Sequence, residues 1–220
     1  IRLLLSLSAN LKVTDWLTLQ ARGNLDHSAD KLRQKFYAST ATALCGMNGR
    51  YIEMDYQETQ MYGDVMAMVK KQLNDFTLDV AIGGSINDRI TNSTRIDSKN
   101  ASLKYANVFN LANIVMSSSA SIDQKIDAHY QLQSVFATAQ IGYKEGVFLD
   151  LTARNDWSST LAYTKYEKKG FFYPSVGVSF LPDKWVKMPE WVSFSKLRGA
   201  YSIVGNGVPP FITYPVSYVT

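Results

Sequence analysis

The sequence lacks most of the features by which enzymes and nucleic-acid-binding proteins are recognised. Its 220 residues contain one cysteine, which excludes an internal disulfide framework and any multi-cysteine metal site. The net charge is only +4, with no Lys/Arg block of the kind that nucleic-acid readers carry. The motifs of metalloproteases, serine hydrolases and nucleotide-binding loops do not occur. We therefore expect a protein that is not an enzyme and needs no cofactor.

Long apolar runs are also missing. None approaches the ~20 residues of a membrane-spanning helix, whereas a transmembrane strand needs only ~9–11 residues. An apolar content of 46% with 19% charged residues is too apolar for a disordered chain. The 13 Tyr, 10 Phe and 4 Trp favour sheets and membrane interfaces.

The pattern that is present has a period of two. Between residues 17 and 26 the odd positions are apolar or small and the even positions are polar, as in a strand with one apolar face. Residues 62–71 are the weakest case, because Met66 and Met68 blur the alternation. We predict about eight strands, the others lying within residues 3–12, 76–87, 135–144, 147–154, 175–180 and 197–203.

The connections between these strands are asymmetric. Short turns at 13–15, 72–75 and 144–146, and a longer connection at 181–192, alternate with long polar segments at 28–60, 89–131, 158–170 and 205–220. Aromatic residues beside the short turns, among them Trp16, Phe76, Tyr143 and Trp185, resemble the girdle of a membrane interface. Short turns at one end and long loops at the other are typical of outer-membrane barrels. The alternative is ordinary strand-end packing in a soluble β-sandwich.

Charged residues occupy the polar side of the predicted strands. An eight-stranded barrel has a filled interior, so such charges favour a wide, wet or plugged lumen and hence an arc of a larger barrel. A charge network of Asp150, Arg154 and Asp156 is expected on one of these strands. The predicted lumen-facing residues are Arg22, Asp26, Asp79, Asp150, Arg154 and Arg198.

Residues 137–207 resemble the SusC/RagA family of TonB-dependent outer-membrane transporters. The resemblance is carried by residues 139–144, 148–161, 172–180 and 195–207, the last reading Ser-Lys-Leu-Arg-Gly-Ala-Tyr-Ser-Ile-Val-Gly-Asn-Gly. Residues 156–159 read Asp-Trp-Ser-Ser where many relatives have Asp-Gly-Ser-Ser. The earlier part of the chain matches more loosely but in the right order.

The resemblance implies an all-β fold, an antiparallel transmembrane β-barrel in the bacterial outer membrane. Residues 1–220 would be a fragment of the C-terminal barrel domain, with the plug domain and the closing strands outside it. It also implies import of an oligosaccharide or peptide with an SusD-like surface lipoprotein, and coupling to TonB through the N-terminal region. The alternatives are a passive porin or channel, and a soluble β-sandwich carbohydrate-binding module.

Candidate ligand contacts follow from the aromatic residues expected in loops. Sugar binding favours aromatic platforms with polar groups nearby, which makes these residues candidates. They are Trp157, Tyr163, Tyr166, Tyr51 and Tyr56.

The remaining features are one long loop, two histidines, the single cysteine and two glycosylation-like triplets. The loop 97–127, with its Ser-rich run 117–121, is expected to cover the barrel mouth or dock on the lipoprotein. The sequence predicts no metal site at His27 and His129, which we expect at exposed loop edges, and an ordinary loop thiol at Cys45. The glycosylation-like triplets 92–94 and 100–102 are expected to be polar loop.

Overall fold

Eight β-strands make up most of the computed structural model, which describes residues 1–99, 103–116, 120–205 and 207. Three single-turn 3₁₀ helices, Leu111–Asn113, Ser159–Leu161 and Pro182–Lys184, lie in the connections. The strands are β1 (Arg2–Lys12), β2 (Leu17–Phe36), β3 (Arg50–Leu73), β4 (Phe76–Asp97), β5 (Ser121–Tyr143), β6 (Val147–Ser158), β7 (Phe171–Phe180) and β8 (Leu197–Ser202).

All eight strands form one antiparallel sheet in the order of the sequence, from β1 to β8. The register of the last four strands places Ala139 opposite Leu151, Leu151 opposite Val176, and Val176 opposite Tyr201. Residues paired in this way share a face of the sheet. The predicted all-β, antiparallel fold of about eight strands is confirmed, including the weakly patterned strand at 62–71.

The short turns are also confirmed. Tight connections join β1 to β2, β3 to β4 and β5 to β6, with positive φ at Asn74 (51°), Lys144 (47°) and Glu145 (53°). Asparagine tolerates this left-handed region well, which explains why Asn74 can turn the chain in so few residues.

The long polar segments contain far more strand than predicted. β2, β3, β4 and β5 have 20, 24, 22 and 23 residues, so only 37–49 and 98–120 remain as long connections within the predicted loops 28–60 and 89–131. The prediction was wrong there because both faces of the sheet are polar in these stretches, and alternation disappears while backbone pairing continues. The loop 158–170 is confirmed in the main, whereas 208–220, part of the last predicted loop, lies outside the described residues.

Strand β8 ends where its neighbour contains a proline. Pro174 accepts a hydrogen bond from the Ile203 N–H through its carbonyl, at 3.1 Å, but has no N–H to return. The ladder therefore loses its reciprocal bond one pair beyond Ser175 and Ser202.

One residue interrupts the regular alternation of β5. Asp127 has a φ of +47°, and its N–H donates to Asn92 Oδ1 at 2.8 Å. Gln131 donates to Asp88 and Gln124 donates to Thr94. In a regular pair of strands, two positions of β5 that reach the same face of β4 would be both odd or both even, whereas here one is odd and one is even. The extra residue is a β-bulge, which reverses the facing of the residues on either side of it.

The chain divides into two compact units. Unit 1 comprises Ile1–Leu5, Leu25–Gln60 and Arg89–His129, and unit 2 comprises Ser6–Asn24, Met61–Asp88 and Tyr130–Thr220. A buried apolar cluster of Tyr51, Leu103 and Ile114 lies in unit 1, packed against Ile96, Phe109 and Ala120.

Candidate functional site

One face of the sheet in unit 2 is apolar and uncovered. Leu7 is 79% exposed, Val65 63%, Ile82 56% and Val135 53%. Soluble monomers rarely expose apolar patches of more than a few hundred Å², because water disfavours such surface. Contact of this face with lipid hydrocarbon instead of water would remove the free-energy cost of exposing it.

The apolar alternation of two strands ends after a similar number of residues. On β4 it runs from Phe76 to Ile86 and gives way to Asp88, which accepts a hydrogen bond from Gln131 at 2.9 Å. On β2, within unit 1, His27 follows the last apolar position and is bonded to Thr59 at 2.8 Å. Each apolar stretch therefore covers about the ~9–11 residues of a transmembrane strand.

Aromatic side chains gather at the short-turn end of unit 2. Tyr143 packs against Phe76, with ring centroids 4.8 Å apart, and against Trp185 at 5.8 Å. Trp185 also meets Phe180 at 6.2 Å and lies over Gly146, where a Cβ would overlap the indole. This cluster has the composition and place of an interfacial aromatic girdle.

The opposite face of unit 2 is polar and cross-linked between neighbouring strands. Arg22 on β2 reaches both carboxylate oxygens of Asp64 on β3, at 3.1 and 3.0 Å from Nε. The Asp64 side chain is fully buried, so the guanidinium compensates a charge removed from water. Lys70 on β3 pairs with Asp79 on β4 at 3.0 Å.

The same arrangement continues on β5 and β6. Gln140 donates to Asp150 at 2.6 Å. Arg154 donates to Asp156 at 2.6 Å and to Ser134 at 2.8 Å. The network predicted around these residues exists, but Asp150 is paired with Gln140 rather than with Arg154.

Five of the six predicted lumen-facing residues have a hydrogen-bond or ion-pair partner. Asp26, in unit 1, is held by Arg2 through two hydrogen bonds of 2.9 and 2.5 Å. Arg198 lies in β8 opposite Ser179 of β7 and has no ion-pair partner within the described part of the chain. Their facing towards a lumen stays a prediction.

The predicted ligand aromatics differ in what they offer. Tyr51 and Tyr56 lie in β3, not in a loop, and Tyr51 is only 3% exposed, with its hydroxyl donating to Glu53 at 2.7 Å. Their loop placement was wrong because no alternation of apolar and polar residues marks the start of β3 at Arg50. Trp157 lies in β6, one residue before its end, so its loop placement was wrong as well; its indole N–H donates to the Lys168 carbonyl at 3.2 Å.

Tyr163 and Tyr166 do lie in the predicted loop, 73% and 46% exposed. In unit 2 they share that loop with the Trp157 contact, whereas Tyr51 and Tyr56 belong to unit 1. The ligand role of all five aromatics stays a prediction.

A buried ion cluster in unit 1 was missed by the sequence analysis. Asp97 is 1% exposed and accepts hydrogen bonds from Arg50 at 2.8 and 2.7 Å, Arg95 at 2.7 Å and the Lys99 N–H at 2.8 Å. Burial by itself would raise the pKa of Asp97. The hydrogen bond from Arg50, that from Lys99 and the two positive charges outweigh it, and the pKa falls to about 2.

This cluster anchors the connection that follows β4. Tyr51 N–H donates to Ser98 Oγ at 3.0 Å, and Asn48 donates to the Leu103 carbonyl at 2.7 Å. Asn113, 4% exposed, donates to the Tyr105 and Val108 carbonyls at 2.8 and 2.6 Å. The described part of the connection is thus a folded element rather than an open loop.

The remaining expectations concern isolated residues. His27 lies within β2, half-buried, and Asn92 lies in β4, so both loop placements were wrong. His129 is exposed but lies in β5, and Cys45 is a buried loop thiol 3.6 Å from the Tyr37 carbonyl. The triplet 100–102 and residues 117–119 lie outside the described residues. In the described ranges no group of three metal-ligating side chains occurs.

None of the helices in the described ranges has the length and apolar character to cross a bilayer. The exposed apolar face, its limited height, the aromatic cluster and the ion-paired opposite face define the wall of an outer-membrane β-barrel.

The comparisons with known proteins agree with this class. Residues 2–209 match the family described as "TonB dependent receptor-like, beta-barrel", and the chain belongs to that family. This is a family of transport proteins rather than of enzymes, and membership places the chain in the bacterial outer membrane. No curated protein is significantly similar.

Solved structures of the RagAB peptide transporter share the fold. One matches with a TM-score of 0.69 and 20% identity over 91% of this chain. The RagAB peptide importer in its closed-closed state matches with a TM-score of 0.66 and 20% identity over 94%. The chain spans 22% and 23% of the length of these relatives. The fold expected from the SusC/RagA resemblance is confirmed.

Proposed function

We propose that the chain forms part of the barrel wall of a TonB-dependent importer that takes up oligosaccharides or peptides with an SusD-like surface lipoprotein. The single observation that carries this proposal is the contrast between the two faces of unit 2. One face exposes Val65, Ile82 and Val135, and the other carries charged side chains, two pairs of which, Arg22–Asp64 and Lys70–Asp79, form ion pairs across strands. A wall between hydrocarbon and an aqueous lumen requires both.

Membership of a TonB-dependent family supports active uptake. In this proposal the 220 residues belong to the C-terminal barrel domain, while the plug and the closing strands are supplied by the rest of the protein. The soluble β-sandwich alternative is disfavoured, because the described strands form one sheet with its apolar residues exposed.

The experiment that tests active uptake uses the full-length protein in its own outer membrane. Accumulation of a labelled peptide mixture and of a labelled oligosaccharide mixture is measured with and without the protonophore that collapses the inner-membrane proton gradient. We expect accumulation of one cargo class to stop with the gradient. Uptake that continues unchanged would identify a passive channel instead.

Peptides are the cargo class to test first. The solved structures that share the fold are of a peptide transporter, but their 20% identity extends only to the fold. Uptake of the oligosaccharide mixture alone would assign the other class.

The lipoprotein partnership is supported by exposed apolar residues on the connections of unit 1. Met47 is 83% exposed and Tyr105 71%, although the neighbouring backbone is held by hydrogen bonds from Asn48 to the Leu103 carbonyl and from the buried Asn113 to the Tyr105 carbonyl. A rigid element that presents apolar side chains is suited to a protein partner. Tyr105→Ser should reduce co-purification of the lipoprotein from solubilised membranes, whereas Tyr201→Ser, on the apolar face of unit 2, should not.

A further inference from the structure

A groove of about 530 Å³ opens on the polar face of unit 2, where β6, β7 and β8 lie side by side. Its lining includes Gln140, Asp150, Gly177, Ser179, Lys196 and Arg198.

The register of the strands explains why the groove exists. Gly177 lies opposite Asp150 on one side and Ala200 on the other. A Cβ added at Gly177 would meet nothing closer than the Ala200 and Asp150 Cβ atoms, both at 3.7 Å. A glycine and an alanine side by side therefore leave space between longer polar side chains.

The charges around the groove are not balanced. Lys196 and Arg198 line it, and the described residues include no carboxylate within ion-pair distance of either. The arginines Arg22 and Arg154 of the same face each have one. Among the described lining residues Asp150 is the only carboxylate, and it already accepts a hydrogen bond from Gln140 at 2.6 Å. The groove thus combines two cations with a hydroxyl donor, Ser179, and a net positive charge.

We propose that this groove binds a carboxylate group, with Lys196 and Arg198 as its cationic contacts. A guanidinium binds a carboxylate through two parallel hydrogen bonds, and the ammonium of Lys196, which lines the same groove, adds a second charge. The carboxylate belongs either to another segment of the same protein inside the lumen or to a peptide cargo. The inference rests on the proposed function only in that the polar face borders an aqueous lumen.

Zero-length cross-linking of the full-length transporter identifies the source. A water-soluble carbodiimide activates a carboxylate, the neighbouring Lys196 Nζ attacks it, and an amide forms as the urea leaves. The reaction is run with and without added trialanine, and with trialanine amide, and the products are sequenced by mass spectrometry. The Lys70–Asp79 pair, 3.0 Å apart on the same face, is the internal control for access of the reagent.

We expect Lys196 to be joined either to an acidic residue of a segment outside the barrel wall or to the C-terminus of trialanine, and never to trialanine amide. Arg198→Gln should lower the yield about fivefold, as should Gly177→Leu, which fills the groove without changing a charge. Gly199→Leu is the matched control, because Gly199 lies on the opposite face with no atom within 4 Å of an added Cβ. Heat-modifiable migration on gels verifies that each variant has folded.

Several results would overturn the inference. One is an unmodified Lys196 in protein where Lys70 and Asp79 have been joined. Another is a product with a carboxylate of a neighbouring barrel strand, which would make Lys196 an ordinary wall ion pair. A third is an unchanged yield in both Arg198→Gln and folded Gly177→Leu. Failure of gradient-driven uptake would refute the proposed function and leave the cross-link intact.

Discussion

Arginine substitutions along β6 test the assignment of the two faces. Leu151 lies opposite Ala139 and Val176 on the apolar face, and Thr152, its neighbour, lies opposite Thr138 and Ser175 on the polar face. Both are near the middle of the span that begins at Val147.

The magnitude depends on the depth in the bilayer as well as on the face. Leu151→Arg places a charge in hydrocarbon near the midplane and should destabilise the folded barrel by ~2–4 kcal/mol. Val147→Arg makes the same change at the short-turn end, where the cost falls to ~0–1 kcal/mol. Thr152→Arg faces water and should cost about 0.5 kcal/mol or less.

The assay is the free energy of unfolding of the full-length protein in lipid vesicles, from urea titrations followed by heat-modifiable migration on gels. The expected order of destabilisation is Leu151→Arg, then Val147→Arg, then Thr152→Arg. Equal costs at Leu151 and Val147 would show that this face does not contact a membrane. A larger cost at Thr152 than at Leu151 would reverse the facing.

Further predictions concern the ion cluster of unit 1 and the aromatic cluster of unit 2. Asp97→Ala leaves two guanidinium groups uncompensated and should destabilise the surrounding structure by ~3–5 kcal/mol, measured by hydrogen exchange; unchanged protection of residues 98–99 and 103–116 would contradict the buried-pair argument. Because the pKa of Asp97 is depressed from its ordinary 3.8 to about 2, its stabilisation is present above pH 4 and is lost as the pH falls towards 2. The free energy of unfolding of unit 1 in urea should therefore fall over this pH range by ~2 kcal/mol more in the wild type than in Asp97→Asn. Parallel pH profiles of the two proteins would argue against a role of the Asp97 carboxylate. Gly146→Ala should displace the Trp185 indole and shift its fluorescence, while Gly23→Ala, in open space, should leave the spectrum unchanged.

The fold was predictable where two solvents act on the two faces of a strand. Residues 17–26 alternate strictly, residues 147–154 do so apart from Phe148, and their strands and turns were predicted correctly. Beyond the apolar band the sequence loses this signal. On β2 and β3 the pair Arg33 and Glu53, 3.1 Å apart, occupies polar positions that resemble a loop in sequence yet belong to paired strands.

The candidate site was predictable only in part, for a similar reason. The polar positions of β2 and β6 could be read from alternation, which identified Arg22 and Arg154. The Asp156 partner of Arg154 lies two residues along the same strand and was predicted, whereas the partner of Arg22 depends on register between strands, so Asp64, in the blurred segment 62–71, was missed. The burial of Tyr51 depends on Leu103 and Ile114, about fifty and sixty residues away, and no local pattern indicates it.

The bulge at Asp127 has a consequence for how this strand tolerates change in length. Because pairing is re-set at that residue, insertions or deletions between 121 and 126 need not shift the frame of residues 130–143. Residues 121–126 can therefore change in length by single insertions or deletions, while residues 130–143 keep their alternation between the two faces.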